Sequence, residues 1–273
     1  MVSNIFSVVE PVIQSVKKEG LQKALSESFE SANSALQQVQ QTFDYFASKE
    51  CPVNLTRCFM KSWHSTHLKM LPIYGLSCRL QKRGIQTNDE NIRNYYFLAA
   101  VHNAETSYED LSIDMPEWST HSELFDEMAN TLCDGDEWKL DRYCLPEAKD
   151  FQNWIYHNMV MDDLEIGLLT NMFSEIYNHG EYSLALEPFR KLMHEIHNLE
   201  TKDANKLSTY IQCHVESNVE EAHFNCVVRA LDYYSQATGR ETDYPKAQKL
   251  FEEYLSRSGQ VMAALEVKLE CEG

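Results

Sequence analysis

Apolar positions recur every three or four residues along most of the chain, which is the spacing of one face of an α-helix. The segment 21–48 shows the pattern with Leu25, Phe29, Leu36 and Val39. The same reading predicts helices over 53–83, 87–108, from about 121, 146–161, 162–177, 184–197, 205–236 and 243–265. No alternating strand pattern and no internal repeat is present. The pattern therefore predicts an all-α fold, a bundle of about eight helices joined by short loops.

Several helix starts carry recognisable signals. Thr87 with Glu90, and Thr120 with Glu123, have the spacing of a capping box, in which two side chains satisfy the first backbone N–H groups of a helix. Pro146 suits the first turn of a helix, where its missing N–H is not needed. These signals predict where three of the helices begin.

Helix breaks are predicted at two places, near Pro72 to Gly75 and near Gly180. Residues 205–236 are instead predicted as one long helix, with Ile211, Val215 and Val219 on one face. With 273 residues, the chain is expected to form a single domain over 1–273, of which 1–50 is an N-terminal helical extension.

Composition narrows the possible functions. A net charge of -18 repels phosphate backbones, so no nucleic-acid partner is expected. No apolar run approaches the roughly 18 to 20 residues of a membrane span, so no membrane partner is expected. Eight cysteines without a CxxC pair, and no signal-like N-terminus, predict reduced thiols in a cytoplasmic protein. The expected partner is a small-molecule substrate, and a homodimer is left open.

Four polar residues stand in apolar helical surroundings and are the first candidates for chemistry. They are Glu105, His121, Glu175 and His214. Helical bundles build metal sites by pointing Glu, Asp and His side chains inward from several helices. Carboxylates neutralise the charge of a metal ion, and neutral imidazoles complete its coordination.

The order and context of these residues resemble the heme-oxygenase-like di-metal oxidases. Their fold is shared with the thiaminase-like TenA proteins and the chlamydial death-domain-associating protein. Glu105 in "HNAETS", His121 in "HSELF" and Glu175 in "NMFSEIY" resemble the family's first three ligands. The segment "YIQCHVESNVEEAHF" resembles its last motif, with His214 as the first ligand. The resemblance covers roughly residues 90–270.

The last motif departs from the family pattern. Asn218 stands where the motif has Asp, and Glu221 where it has its final His, while His223 follows two residues later. In a continuous helix, His214 and Glu221 share a face and His214 and His223 do not. Either Glu221 replaces the histidine or a π-bulge turns His223 inward.

A second arrangement on the same segment places Glu216, Glu220 and His223 on one face at i, i+4 and i+7, and its simplest interpretation is a solvated acidic face. Because Asn218 stands in place of the Asp of the motif, one of the two metal positions is expected to bind its ion weakly.

Other histidines and one cysteine have simpler interpretations. The pairs His64/His67 and His194/His197 stand beside charged residues and are interpreted as exposed. His102, one turn before Glu105, is placed to hydrogen-bond to it and orient it. Cys213 beside His214 suggests the nucleophilic chemistry of thiaminase-like relatives, but adjacent helical residues point apart.

The resemblance implies a non-heme di-iron oxidase or oxygenase. Two Fe(II) ions would be held by Glu105, His121, Glu175, His214 and one of Glu221 or His223, with dioxygen as co-substrate. Oxidation of an amino-acid- or amine-like substrate in natural-product biosynthesis is then expected. The alternatives are a metal-free thiaminase-like enzyme on the same fold and a non-catalytic helical interaction protein.

Overall fold

The structure is a computed structural model that describes residues 5–108, 111, 119–216 and 219–272. Within these residues it contains thirteen α-helices and no strand. The helices are α1 Ile5–Gln14, α2 Glu19–Ser31, α3 Asn33–Phe46, α4 Val53–Thr66, α5 Met70–Ile85, α6 Glu90–Glu105, α7 His121–Leu132, α8 Pro146–Tyr156, α9 Leu164–Lys191, α10 Thr201–Leu207, α11 Thr209–Glu216, α12 Val219–Thr238 and α13 Tyr244–Glu272. The all-α prediction is confirmed, although the helices are more numerous and several are shorter than expected.

Helix α9 is the centre of the molecule. Every residue from Ile166 to Tyr182 is buried, because α1, α3, α5, α11, α12 and α13 pack around it. A helix that is enclosed on all sides has no polar face to show to water. Any ionisable side chain on α9 is therefore held inside the protein and needs a partner there.

The predicted break at Gly180 is wrong, since α9 runs through this residue without interruption. A Cβ at Gly180 would lie 2.5 Å from Ile5 Cγ2 and 3.1 Å from Val9 Cγ1. The glycine therefore lets α1 lie directly on α9. Helix α1 buries Ile5, Val9 and Ile13 completely in this contact, so the first helix contributes to the same hydrophobic core as the rest of the chain.

The break predicted near Pro72 lies earlier, because α4 ends at Thr66 and α5 begins at Met70, with Pro72 inside its first turn. The intervening residues His67, Leu68 and Lys69 form a junction on one side of α9. This junction carries two of the side chains that matter most below.

Two of the three predicted helix starts are confirmed. Thr120 and Glu123 form the reciprocal capping box at the start of α7, and Pro146 occupies the first turn of α8. The box predicted at Thr87 is wrong, because Asp89 caps α6 by accepting hydrogen bonds from the backbone of Asn91 and Ile92. An aspartate immediately before the helix is a better cap than a threonine two residues earlier.

The single long helix predicted over 205–236 is wrong near its start, because α10 ends at Leu207 and Ser208 separates it from α11. No helix among the described residues is both long enough and apolar enough to cross a membrane.

Candidate functional site

A cavity of about 220 Å³ lies beside α9, between the α4–α5 junction, α7, α11 and α12. Its wall is unusually rich in ionisable and aromatic side chains. The polar and aromatic residues that line it are His64, His67, Lys69, Thr120, His121, Ser122, Phe125, Glu175, Asn178, Tyr182, Tyr210, His214, Glu220 and His223. Such a concentration of titratable groups around one concave space is typical of a functional site.

Glu175 lies in the middle of α9 and is 3% exposed. The ammonium of Lys69, which is also buried, donates to Glu175 Oε1 at 3.1 Å and to Ser174 Oγ at 3.0 Å. With the Asn178 amide oriented to donate to the Ser174 carbonyl, its oxygen accepts from Lys69 Nζ at 2.8 Å. Burial alone would raise the pKa of Glu175, but the Lys69 charge and the contact with His223 outweigh it and hold the pKa well below its usual value. The carboxylate is therefore ionised.

His214 and Glu220 face each other across the ends of α11 and α12. A Glu220 carboxylate oxygen lies 2.6 Å from His214 Nδ1, and both side chains are buried. The imidazole stacks on the Tyr182 ring at a centroid distance of 4.1 Å, and neither of its nitrogens makes a well-aligned hydrogen bond. Burial, with added repulsion from His121 and His223, lowers the pKa of His214 well below its usual value. The ring is thus neutral and can act as a base or a ligand.

Two groups of potential ligand atoms meet at this cavity. Glu175, Glu220 and His223 each offer one atom, and these atoms lie within 4.8 Å of one another. His121, Cys213 and His214 form a second group under the same limit. Cys213 Sγ lies 3.6 Å from His121 Nε2. The expectation that Cys213 and His214 point apart is wrong for their reactive atoms, because His121 on α7 contacts both side chains.

A buried chain of hydrogen bonds leads from the cavity wall towards α13. His67 Nδ1 donates to the Trp63 carbonyl at 2.9 Å, and His67 Nε2 lies 2.7 Å from a Glu181 oxygen. Tyr177 donates to the other Glu181 oxygen at 3.0 Å and also contacts Ser258. Because the Trp63 carbonyl can only accept, His67 Nδ1 carries a proton. The contact between His67 Nε2 and Glu181 then needs a second proton, which belongs either to the imidazole ring or to the carboxyl group.

His64 lies against the rings of Phe125 and Trp138, with centroids 4.5 and 5.3 Å away. Burial, with the nearby His67 and Lys61, lowers the pKa of His64 to about 3. His64 and His67 were expected on the surface, but both line the cavity. Their spacing was visible in the sequence, whereas their direction depends on how α4 packs.

Four of the six residues proposed as metal ligands come together here: His121, Glu175, His214 and His223. Glu105 does not line the cavity described. Its carboxylate accepts from His102 Nδ1 at 2.7 Å, as expected for that pair, and its side chain is 33% exposed. The inward polar residue of α6 is Asn103, which donates to Ser77 and accepts from Asn171. Two residues further along a helix, Glu105 is turned about 200° away.

Glu221 also lies away from the cavity, half-buried, with its charge acting on His179. The prediction that Glu221 shares a face with His214 assumed a continuous helix. The structure departs from that angular count, because His214, Glu220 and His223 all line the cavity and Glu221 does not. The solvated acidic face is therefore wrong for Glu220, which is 2% exposed. Asn218 lies outside the described residues, as does the side chain of Glu216.

Sequence reasoning missed Lys69, Tyr182 and Tyr210. Lys69 stands in a helix junction, and nothing in its neighbours marks it as buried. Tyr182 and Tyr210, whose hydroxyls are 2.7 Å apart, belong to helices with ordinary aromatic content. Only the position of these helices around α9 brings the three side chains to one cavity.

The fold and the cavity define an all-helical protein with a cavity lined by buried, ionisable side chains. The solved structures include one of the same fold, a TenA homolog from Pseudomonas syringae pv. tomato. The two share a TM-score of 0.61 over 90% of this chain and 93% of that chain, with 9% sequence identity. The TenA-like fold expected from the sequence is thus confirmed. No protein-family model and no curated protein sequence matches the chain.

Proposed function

We propose that this protein is a thiaminase-like enzyme that cleaves a C–N bond of a small nitrogen-containing molecule without a metal ion. One observation carries the proposal, the thiol of Cys213 lying 3.6 Å from His121 Nε2 at the cavity wall. A thiol beside an imidazole is the usual arrangement of a cysteine nucleophile and its base. The TenA-like fold supports the same interpretation. From the sequence, a metal-free, thiaminase-like enzyme on this fold is the alternative to a di-iron oxidase.

The proposed reaction divides the work among three side chains. His121 accepts the Cys213 proton, and the thiolate attacks the carbon of the C–N bond, whose nitrogen leaves with a proton. Water then displaces the sulfur, giving an alcohol and restoring the thiol. The neutral ring of His214, oriented by Glu220, is placed to accept the proton of that water. His121 lines the cavity and Cys213 does not, so in this proposal the substrate reaches the sulfur past the His121 ring.

The direct test follows cleavage products by mass spectrometry, with thiamine and other amine-substituted heterocycles as substrates. Cys213→Ser should reduce cleavage by about 100-fold or more, and a chelator should leave wild-type activity unchanged. Cys51→Ser is the matched control, since Cys51 is also half-buried but lies before α4 and does not belong to the group of His121, Cys213 and His214. Full activity in Cys213→Ser, or loss of activity on chelation, would contradict the proposal.

A second test needs no substrate. Alkylation by iodoacetamide at pH 7 should modify Cys213 about 10-fold more slowly in His121→Asn than in the wild type, because the neighbouring base is lost. Peptide mass spectrometry reads each cysteine separately, so the exposed Cys78 and Cys271 report the intrinsic rate in the same sample. An unchanged rate at Cys213 would show that the two side chains do not work together.

A metal-dependent oxidase using Fe(II) and dioxygen is the second candidate. The observation in its favour is the buried group of Glu175, Glu220 and His223, whose donor atoms lie within 4.8 Å of one another. Carboxylate and imidazole ligands of this kind suit iron. Metal content of protein purified with ferrous iron under anaerobic conditions, measured by elemental analysis, separates the two candidates. Stoichiometric iron that is required for substrate oxidation would favour the oxidase.

A further inference from the structure

We infer that Lys69 takes the place of a metal ion in this cavity: its ammonium is the resident cation of the Glu175, Glu220 and His223 group and keeps divalent metals out. The inference goes beyond the proposed function because it does not involve Cys213. It concerns what occupies the group of carboxylates, whereas the proposed function concerns which side chain attacks the substrate.

The contacts of Lys69 are those of a fixed internal cation. Its Nζ has three acceptors, Ser174 Oγ at 3.0 Å, Glu175 Oε1 at 3.1 Å and the Asn178 amide oxygen at 2.8 Å. A lysine ammonium has three N–H donors, so all of them are used. All three partners lie on α9, and Lys69 itself is 7% exposed. The charge is therefore held in one position.

The position of this charge conflicts with a divalent ion on the same carboxylate. One oxygen of Glu175 accepts from Lys69, and the other lies 3.6 Å from His223 Nδ1, on the side of the ligand group. A metal bound there would be separated from the ammonium by no more than the width of that carboxylate. Repulsion between two cations at this distance is strong in a buried, poorly solvated site.

The balance of charge points the same way. Against a metal ion the group offers the carboxylates of Glu175 and Glu220, and the ammonium of Lys69 already offsets one of them, while the neighbouring His214 is neutral. Two ferrous ions would leave a large uncompensated positive charge in the protein interior, which is strongly unfavourable. Since Glu105 also lies elsewhere, the described residues do not fit the two-iron centre that the resemblance implied.

His214, whose Nδ1 lies 2.6 Å from a Glu220 oxygen, would add a donor beside the group if the ammonium were absent. The His214 nitrogens make no well-aligned hydrogen bond although the ring is 5% exposed. The side chains are therefore arranged as ligands but balanced by an internal cation. Removing the Lys69 charge alone should convert the group into a site for one divalent ion.

The experiment compares metal binding by the wild type and Lys69→Met, using Co²⁺ as a spectroscopic probe. Methionine keeps an unbranched apolar chain of similar length but lacks the charge. Lys69→Met should bind one Co²⁺ at least 100-fold more tightly than the wild type, with visible absorption bands that are lost in the Lys69→Met/Glu175→Gln double variant. Lys69→Arg, which keeps the charge, should resemble the wild type.

Thermal unfolding with and without Co²⁺ gives a second measurement if Lys69→Met is poorly stable. An unpaired buried Glu175 should lower its Tm, and Co²⁺ should restore it, while the Tm of the wild type should not change. Equal Co²⁺ affinity in the wild type and Lys69→Met, or no recovery of Tm, would overturn the inference. Cys213→Ser should behave as the wild type in both measurements, so this result and the test of the proposed function can fail separately.

Discussion

At the scale of single residues, the cavity is defined by how each buried charge is compensated. Glu175 has the ammonium of Lys69, Glu220 has the imidazole of His214, and Glu181 has His67 and Tyr177. A buried carboxylate without such a partner would be strongly destabilising. Lys69–Glu175 and His67–Glu181 join residues more than 100 positions apart, so they fix how the α4–α5 junction meets α9, while His214–Glu220 joins α11 to α12.

The low pKa of His64 makes stability depend on pH. Between pH 6.5 and about 3, the unfolded chain binds a proton at His64 that the folded chain does not bind, so stability falls as pH is lowered through this range. The slope from this one residue is at most about 1.4 kcal/mol per pH unit. Between pH 7 and pH 5, the free energy of unfolding of His64→Leu should therefore fall by about 1–2 kcal/mol less than that of the wild type. Urea unfolding at the two pH values measures the difference.

The control for His64→Leu is His157→Leu, which removes an exposed histidine outside the cavity. The structure shows the imidazole of His64 excluded from water. An equal loss of the free energy of unfolding by His64→Leu and the wild type between pH 7 and pH 5 would contradict this.

At the scale of elements, α9 is the framework on which the site is assembled. It supplies Glu175, Asn178 and Tyr182 to the cavity, and α1 covers its far side through contact at Gly180. A glycine in a helix interior lowers helix stability by about 1 kcal/mol relative to alanine. At position 180 this cost is offset by the close packing of α1 on α9.

Gly180→Ala should destabilise the protein by about 1–3 kcal/mol, because the added methyl group overlaps Ile5 and forces α1 away from α9. Gly75→Ala in α5 is the matched control, since a Cβ there would lie 3.2 and 3.5 Å from the two methyl groups of Val160. It should change stability by less than about 1 kcal/mol. Chemical denaturation of both variants tests the packing, and a Gly180→Ala protein as stable as the wild type would contradict it.

At the scale of the whole molecule, the first helix and the cavity share one hydrophobic core. Ile13 of α1 is fully buried, although it belongs to the segment expected to be an extension. The core continues through α9 to Trp63 and Tyr182, whose rings lie 6.1 Å apart beside the cavity. Loosening α1 should therefore be detected at the opposite end of the core.

Ile13→Ala should lower the free energy of unfolding by about 2–4 kcal/mol through the cavity it leaves. Because the core is shared, tryptophan fluorescence and far-ultraviolet circular dichroism should report one common transition at the lower midpoint. Leu71→Ala, at a 70% exposed position, should change stability by no more than about 0.5 kcal/mol. Separate transitions for the two probes would indicate that α1 folds as an independent unit.

The sequence by itself determined the features that depend on local spacing. Apolar periodicity gave the all-α class, the Thr120–Glu123 box and Pro146 marked two helix starts, and the i, i+3 spacing predicted the His102–Glu105 contact. Of the four polar residues it singled out in apolar surroundings, His121, Glu175 and His214 meet at the cavity and Glu105 does not, and His223, one of its two alternatives for the last ligand, joins them. Their role as ligands stays a prediction.

Only the tertiary structure decided which polar residues face one another. The packing of α12 against α9 turned Glu220 inward and left Glu221 outside the cavity, and the packing of α6 left Glu105 partly exposed. The α4–α5 junction brought Lys69 to Glu175, 106 residues further along the chain. Helix periodicity fixes directions within one helix, whereas the meeting of charges from different helices depends on how those helices cross, and crossing geometry is set by packing in the core.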